Sequence, residues 1–435
     1  MKRWTSLATA AVLTIGLAAC SDPAAETSTG AAATWADPTA KLDGVKLTIW
    51  AAQNSHTTPA KVVEGFHAAT GATVEVVTIP DPYEQGIQTK VATGDKPDIA
   101  FWQPTASMLT AINAKTNLQP LNDAPWLSTL SPDLKDITGI LDGTRYAALI
   151  TSPAVEGVYY NKEVFAANGI TATPKSFAEM VALARTLKGK GVTPFYEMAA
   201  DRWATQWWVQ VQLADAAKDG FWDKVNTGQE TFNSPVVVDA IKTYKSLIDE
   251  GLFNENIKTA KFEDQGAALL AGDAAMVVQV NSFFGQLQAK ADTATLDKKI
   301  GFFPISPSGN VGTFIPDQSN ALVAFKTGDA KREAAARQLL AYWMGPGYAG
   351  FVTDRDTVSL ETAVPNPPGV PKALLDVHAA LPTSVGSMQA LAVANPDLYI
   401  NLADMITGTM SPEQVAKATQ DQFAQLAKAA GAPGF

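Results

Sequence analysis

The sequence predicts an α/β protein of two lobes, with the chain crossing between them several times. Strand-like and helical patterns alternate from residue 44 to 103, which is typical of a parallel sheet covered by helices. The chain has 435 residues, more than a single hydrophobic core usually holds. No long linker interrupts residues 41–435, which favours lobes built from several chain passages over domains joined in tandem.

The first twenty residues are typical of a leader peptide. Basic residues precede the apolar run Leu7–Leu17, which is short for a membrane span, and small residues lead to Cys20. The segment "LAAC" resembles a bacterial lipobox, which implies cleavage before Cys20 and a lipid anchor on its sulfur. The alternative is an ordinary secretory peptide with a chance cysteine. Residues 21–40, rich in Ala, Thr, Ser and Pro, predict a flexible tether.

The first lobe begins with alternating strands and helices. In order, the predicted elements are strand "GVKLTIWAA", helix "TPAKVVEGFHAATG", strand "ATVEVVTIP", helix "DPYEQGIQTKVATGD" and strand "PDIAFWQ". In parallel sheets ligands bind where the carboxyl ends of the strands meet. The residues that follow the first and third strands are therefore candidates for binding.

The rest of the chain contains further predicted helices and strands, which are assigned to one lobe or the other. They predict helices "SFAEMVALARTLKGKG", "VVVDAIKTYKSLIDEGLF", "DAKREAAARQLLAYWMG" and "SPEQVAKATQDQFAQLAKAA", the last capped by Ser411 and Pro412, and strands "AAMVVQV" and "SNALVAF". Crossings are predicted near Ile150–Ser152, Val311–Thr313 and Gly345–Gly350. The first lobe is assigned to residues 41–150 and 312–348, and the second lobe to 151–311 and 349–435.

Composition excludes several classes of function. Lys and Arg total 33 against 43 Asp and Glu, a net charge of −10, which disfavours nucleic acid and anionic lipid as partners. With three histidines and a single cysteine, little material exists for a multi-histidine metal site or a cysteine nucleophile. We expect no cofactor and predict no metal-ligating residues, and the sequence leaves a structural calcium ion open. A carboxylate pair, as in a secreted glycoside hydrolase, stays open because so many acidic residues always offer pairs.

The stretch "DRWATQWWVQ" concentrates large aromatic rings in an acidic chain. Trp203 and Trp207 are spaced to share a helical face, whereas Trp208 points away from it. Such rings pack either in the core or against a ligand, and the sequence leaves both readings open. A pyranose suits this composition, because its C–H face stacks on aromatic rings and its hydroxyls need planar donors and acceptors.

Five segments resemble the extracellular solute-binding proteins of bacterial ABC importers, in the carbohydrate-binding family that includes maltose-binding protein. They are "KLTIWAA", "VATGDKPDIAFW", "VYYNKEVFAANGI", "FEDQGAALLAGDAAMVV" and "TGTMSPEQVAKATQDQF". The resemblance implies a periplasmic-binding-protein-like fold with two lobes, a hinge and an interlobe ligand cleft. It also implies a receptor that delivers an oligosaccharide to a membrane permease and makes and breaks no bonds.

The resemblance assigns roles to particular positions. Trp102 stands where the family has a sugar-contacting tryptophan, and Glu84 stands where the maltose group has a ligand-facing carboxylate. Asn54 and Ser55 replace an acid and a lysine of that group, which implies a different pattern of sugar hydroxyls.

Other positions depart from the family pattern. Ser282 stands where many relatives have a stacking tryptophan, and Phe283, Phe284 or a tryptophan from elsewhere could replace it. Glu156 lies near a family ligand position, although its spacing to "YNK" differs. The complete predicted ligand-binding set is Asn54, Ser55, His56, Glu84, Trp102, Gln103, Ser152, Glu156, Glu197, Trp203, Trp207, Asn281, Ser282, Phe283, Asp317 and Gln318.

These expectations together describe a lipid-anchored receptor. Trp102 and at least one of Trp203 and Trp207 are expected to line the cleft. The expected partners are an oligosaccharide, the permease subunits of an ABC transporter and the membrane through the lipid anchor only. The protein is expected to be a monomer at the extracellular face of the cytoplasmic membrane. A peptide or metal-ion receptor of the same architecture is disfavoured by the aromatic-rich, histidine-poor composition.

Overall fold

The computed structural model describes residues 35–52, 60–80 and 82–435. The predicted leader, tether residues 21–34, Cys20 and the predicted ligand residues Asn54, Ser55 and His56 lie outside the described residues. Among the helices of the described part, none has the length and apolar character needed to cross a membrane.

Twelve strands occur in the described part of the chain. They are β1 Lys46–Ala52, β2 Thr73–Ile79, β3 Ile99–Phe101, β4 Ile140–Leu141, β5 Thr144–Arg145, β6 Ala147–Leu149, β7 Ala154–Asn161, β8 Met276–Gln279, β9 Ile300–Phe303, β10 Thr313–Ile315, β11 Ala321–Ala324 and β12 Val385–Gly386.

The α-helices of the same residues surround these strands. They are α1 Ala60–Thr70, α2 Tyr83–Ala92, α3 Ala106–Ala111, α4 Ala114–Asn117, α5 Lys162–Ala167, α6 Phe177–Gly189, α7 Trp207–Gln210, α8 Ala214–Lys218, α9 Phe221–Asn226, α10 Pro235–Asp249, α11 Phe262–Ala271, α12 Phe284–Gln288, α13 Thr293–Lys299, α14 Ala330–Trp343, α15 Tyr348–Arg355, α16 Lys372–Ala380, α17 Met388–Leu391, α18 Leu398–Thr407 and α19 Pro412–Ala429.

The first sheet has the strand order β2-β1-β3-β11-β6. Strand β1 runs parallel to both β2 and β3, with Ile49 opposite Ile99, whereas β11 runs antiparallel to β3 and β6. The parallel part comes from the strand–helix–strand–helix–strand pattern that the sequence predicts. At its carboxyl edge the Tyr83 hydroxyl lies 2.6 Å from the Phe101 carbonyl oxygen and 3.1 Å from that of Trp50. This contact holds the ends of β1 and β3 together.

The second sheet is built around β7 and has the order β12-β10-β7-β8, with β9 also paired to β7. β7 is long enough to change partners along its length: its first residues pair with β10, and Gly157–Tyr160 pair with β8. The α/β architecture with two sheets agrees with the predicted fold class. One further local prediction is confirmed, because Ser411 caps α19 with Pro412 in its first turn. Gly272 ends α11 with φ 83°.

Two predicted crossings lie elsewhere in the structure. β10 pairs with β7 and β12, so it belongs to the second sheet, and the chain returns to the first sheet only over residues 316–320. α15 packs against α1, and Leu130 bridges Glu361, so residues beyond the predicted crossing at Gly345–Gly350 still pack with elements of the first-sheet half. Both differences arise from long-range pairing, which local sequence patterns do not reveal.

Candidate ligand-binding site

Two chain passages between the sheets lie side by side and are bonded to each other. Asn320 lies between β10 and β11, and its Nδ2 donates to Thr151 Oγ1 (3.0 Å) and to the Ser152 carbonyl (2.9 Å) between β6 and β7. The Ile150 N–H donates in turn to the Asn320 carbonyl (2.8 Å). Paired short connections of this kind are suited to act as a hinge between lobes.

Three predicted ligand residues lie at these passages. Asp317 accepts a hydrogen bond from the Ser319 N–H (2.7 Å), so its carboxylate caps the turn. Ser152 Oγ lies 3.4 Å from His378 Nδ1 on α16. The side-chain oxygen of Gln318 is buried and finds no hydrogen-bond partner among the residues described. Of these three residues, Gln318 therefore has a buried side-chain oxygen that accepts no hydrogen bond from the described residues.

Glu156 on β7 shows the strongest sign of a binding role. Its side chain is fully buried, and within the described ranges neither carboxyl oxygen has a hydrogen-bond partner. Burial raises the pKa of this carboxyl well above its usual range. A buried polar group left unpaired costs roughly 1–3 kcal/mol of stability, and such groups call for an explanation in a folded protein. A bonding partner supplied from outside the chain is one such explanation.

Glu156 belongs to a polar pair on one face of the second sheet. Thr313 stands directly opposite it on β10, so both side chains project from the same face. Thr313 Oγ1 is also buried without a partner in the part of the chain that the structure describes. Ala154 and Val158 share this face of β7, and both belong to the hydrophobic cluster that contains Trp207. The polar pair is thus set into the large apolar core of the second-sheet half, which also contains Trp207.

A tight turn positions Trp203 and Trp207. Arg202 adopts φ 63° and ψ −53°, and the Trp203 N–H donates to the Asp201 carbonyl (2.7 Å), which makes a rare, strained γ-turn. The Asp201 carboxylate accepts from the Phe262 N–H (2.6 Å), which ties the turn to the start of α11. The two indole rings meet edge to face with centroids 6.2 Å apart. Trp203 is half-buried, whereas Trp207 is 4% exposed.

Glu84 on α2 lies within electrostatic reach of the tryptophan segment. Burial raises the pKa of Tyr399 on α18, the carboxylates of Asp397 and Glu84 raise it further, and Arg202 lowers it. Thr205 Oγ1 donates to the Tyr399 carbonyl (2.9 Å), which joins α18 to the tryptophan segment. Helix α2 packs with the first sheet, so this group of residues connects the two halves of the protein.

Trp102 lies in the core, contrary to the expectation of a ring open to the cleft. It is fully buried, its N–H donates to the Ala321 carbonyl (3.1 Å), and its Nε1 donates to the Met108 carbonyl on α3 (3.1 Å). The reason is that β3 is a central strand, with β1 on one side and β11 on the other, so its end is enclosed. Gln103 follows it and is 9% exposed.

Glu197 also has a structural role rather than an open position in a cleft. Its Oε1 accepts from the Met198 N–H (2.7 Å), and its Oε2 accepts from the Tyr244 hydroxyl (3.1 Å). Tyr244 stacks on Trp208, with centroids 5.6 Å apart and planes 10° from parallel. Trp208 therefore points into this core, away from the Trp203–Trp207 contact, as the spacing of the three residues predicts.

The predicted residues after β8 do not converge on Glu156. Asn281 Oδ1 accepts from the Val155 N–H (3.0 Å), so it joins β7 to the following turn. Phe283 is fully buried against Tyr159, which alternates with Glu156 onto the opposite face of β7. Ser282 is exposed. Replacement of the family's stacking tryptophan by Phe283 is therefore not supported by this geometry.

Two surface cavities lie away from these residues. One of about 180 Å³ is bordered by Tyr160 and Lys162, and one of about 520 Å³ is bordered by Phe177 and Arg185. None of the predicted ligand-binding residues borders either cavity. The structure pairs Glu156 with Thr313 and Trp203 with Trp207, and it couples Glu84 and Arg202 electrostatically to Tyr399.

Sequence reasoning missed Thr313, Arg202 and Tyr399. Thr313 is found only through its pairing with Glu156, and Tyr399 only through its contact with Thr205. Arg202 stands in the quoted tryptophan stretch, but its positive φ carries no sequence signal because it is not a glycine.

Substitution of Glu197 by Gln should flatten the pH dependence of stability. Burial raises the pKa of Glu197 to about 7 from 4.5. The folded state then binds more protons than the unfolded state, so the free energy of unfolding falls as pH rises from 4.5 towards 7. Glu197→Gln should remove a fall on the order of 2–3 kcal/mol, measured by urea denaturation across this pH range. The exposed Glu255→Gln variant serves as control and should follow the wild type. Parallel curves for wild type and Glu197→Gln would contradict the assignment.

Comparison with known proteins identifies the family. A family model described as bacterial extracellular solute-binding protein matches residues 51–350. An ABC transporter extracellular-binding protein of Pyrococcus horikoshii is 25% identical over 229 residues, which are 51% of this chain and 50% of that protein. The chain thus matches about half the length of such curated relatives.

Solved structures show the same fold over nearly their whole length. A chitin oligosaccharide binding protein superimposes with a TM-score of 0.75 at 21% identity, covering 88% of this chain and 99% of that chain. The protein RafE in complex with raffinose superimposes with a TM-score of 0.71 at 18% identity, covering 88% of this chain and 100% of that chain. The predicted two-lobed binding-protein fold is confirmed, and the chain belongs to the family of bacterial extracellular solute-binding proteins.

Proposed function

We propose that this protein captures an oligosaccharide between its two lobes and delivers it to the permease of an ABC importer. The observation that carries the proposal is the buried Glu156–Thr313 pair, which has no hydrogen-bond partner among the described residues and lies in the half of the protein whose core contains Trp207. The structural relatives named for chitin oligosaccharide and raffinose add support for a sugar ligand.

The chemistry of these residues suits a sugar. The exposed part of the Trp203 ring can stack on the C–H face of a pyranose. The Glu156 carboxyl and the Thr313 hydroxyl offer donors and acceptors for sugar hydroxyls. These groups have no partner among the described residues. A sugar that bonds them therefore recovers free energy that a wrong epimer does not, at roughly 1–3 kcal/mol per group.

The paired passages give the lobes a means to close on the ligand. Ile150, Thr151 and Ser152 are bonded to Asn320, so bending at one passage carries the other with it. A ligand that contacts both lobes favours the closed state by its differential affinity for that state. Glu84 from the first-sheet side and Trp203 from the second-sheet side are the contacts proposed to draw the lobes together.

The proposal includes an anchored, extracytoplasmic monomer that carries out no chemistry. Cys20 would bear lipid after cleavage of residues 1–20, and residues 21–40 would act as a tether. Wild-type protein should then fractionate with membranes, while Cys20→Ala should be released. Retention of Cys20→Ala in the membrane fraction would contradict the anchor.

Calorimetry on the purified protein tests the ligand class. Titration with a panel of neutral oligosaccharides should give a dissociation constant near micromolar, which corresponds to about −8 kcal/mol. Short peptides and divalent cations form the comparison arms. Binding only in those arms would reject a sugar receptor, and release of smaller sugars during incubation would point instead to a carboxylate-based glycoside hydrolase.

A further inference from the structure

Three buried glutamines form a continuous hydrogen-bond chain behind the tryptophan pair. The Met388 N–H donates to Gln210 Oε1 (3.0 Å), and Gln210 Nε2 donates to Gln389 Oε1 (2.6 Å). Gln389 Nε2 donates to Gln206 Oε1 (2.7 Å), and Gln206 Nε2 donates to the Trp203 carbonyl (2.9 Å). We refer to Gln206, Gln210 and Gln389 as the glutamine relay.

The relay has one direction and one arrangement of its amides. Each side-chain oxygen accepts and each side-chain nitrogen donates, from the Met388 N–H to the Trp203 carbonyl. The three side chains are 2–6% exposed, so reversal of one amide would place two donors or two acceptors together in the interior. Fully satisfied buried networks of this kind hold one packing arrangement against its alternatives.

The relay joins the tryptophan segment to an element that touches the other half of the protein. Met388 and Gln389 belong to α17, which packs against α3. Helix α3 begins shortly after β3 of the first sheet, whereas α17 follows β12 of the second sheet. The position of Trp203 is therefore linked, through neutral amides, to a contact between the two lobes.

We infer that Gln389 is a positioning residue for ligand binding, which holds the Trp203–Trp207 rings in the orientation that the ligand and the closed lobes require. The inference rests on the proposed function in so far as it concerns affinity. Its structural part, that Gln389 sets the orientation of these two indoles, can be tested without any ligand.

The test exploits the direction of the relay. In Gln389→Glu, the introduced carboxylate still accepts from Gln210, but it faces Gln206 Oε1 with an acceptor instead of a donor. Protonation of the introduced carboxyl restores a donor and with it the relay. α17 packs against α3, α9, β10 and β12 and is hydrogen-bonded to residues 203–210. Among these elements only α9 carries charged side chains, Asp223 and Lys224, and both are exposed. Because these two side chains are exposed, the carboxyl introduced at position 389 is the group expected to titrate within the relay.

Gln119→Glu is the matched control. Gln119 is 5% exposed, and its Nε2 donates to the Phe325 carbonyl (3.0 Å) in the first-sheet half, away from the relay. The substitution creates the same buried clash between acceptors. It should lower the melting temperature at pH 8 and leave the sugar dissociation constant unchanged at every pH.

Sugar affinity is measured relative to wild type at pH 8 and pH 5. Gln389→Glu should bind at least about tenfold more weakly at pH 8 and recover to within about threefold at pH 5. In ligand-free, isotope-labelled protein, the indole N–H resonances of Trp203 and Trp207 should shift with the same pH dependence. They are assigned from single Trp→Phe variants, and the Trp102 and Trp343 resonances should stay in place.

The outcomes test the positioning role of Gln389 separately from the proposed sugar-binding function. Wild-type affinity for Gln389→Glu at pH 8 would overturn the positioning role, as would a loss that does not recover at pH 5. If wild type binds no sugar, the proposed function fails, and the indole shifts still decide whether Gln389 positions the two rings. Unmoved resonances of Trp203 and Trp207 would overturn the inference by themselves.

Discussion

Replacement of Trp102 by alanine should lower the free energy of unfolding by about 3–5 kcal/mol, with little direct effect on the ligand site. The whole indole ring is buried, and its N–H bonds the Met108 carbonyl, so the substitution leaves both a large cavity and an unpaired carbonyl. Urea denaturation of the purified variant measures the loss, and calorimetry on the fraction that stays folded measures the affinity.

Trp203→Ala is the matched control, because it removes the same ring from a half-buried position. Its stability should fall by less, about 1–2 kcal/mol, while its sugar affinity should fall by at least about tenfold. If Trp102→Ala instead keeps its stability and loses sugar affinity, Trp102 contacts the ligand, as the family resemblance implies, and is not a core residue. The pair of variants thus separates a core ring from a ligand ring.

Local patterns predicted the elements that depend on neighbours in sequence. The alternation in β1 to β3 and the cap at Ser411 are both set by residues a few positions apart. Two of the three predicted crossings differ from the structure, and in both the deciding contact is with a distant part of the chain. β10 is only three residues long, and its assignment to the second sheet depends on β7, which lies more than 150 residues earlier.

The candidate site was predictable to a similar extent. Glu156 and the contact between Trp203 and Trp207 could be proposed from the resemblance and from the four-residue spacing. The burial of Trp102 could not, because it depends on β11 lying beside β3, and β11 comes from a distant part of the chain. The glutamine relay could not be predicted from the sequence either, because Gln389 is 179 residues from its partner Gln210.

The structure separates buried carboxyl groups that are hydrogen-bonded from one that is not. Glu197 is buried, yet both of its carboxyl oxygens are bonded, so it resembles a satisfied part of the core. Glu156 is equally buried but unbonded within the described residues. Binding sites commonly keep such destabilising groups, because optimising them for stability removes function.

Substitution of Glu156 by Met should therefore raise stability and weaken binding at once. Met has a similar length without the polar oxygens, so the ligand-free protein should gain about 1–3 kcal/mol in free energy of unfolding. The gain should be largest at neutral pH, because burial raises the pKa of Glu156, and stability is lost as pH rises above the unfolded value. Sugar affinity should fall by at least about tenfold, since the bonds to the carboxyl are lost.

The prediction is specific, because Glu156→Met should raise the free energy of unfolding and lower sugar affinity at the same time. Glu156→Gln provides the conservative control: it keeps hydrogen-bonding groups of nearly the same shape, so it should retain more affinity than Glu156→Met and gain less stability. Denaturation and calorimetry on both variants supply the measurements. A Met variant that loses stability would mean that the carboxyl is bonded in the folded protein, for instance by residues outside the described ranges. A Met variant that gains stability and keeps its affinity would mean that the sugar is bound elsewhere, and the assignment of the site to the second sheet would fall with it.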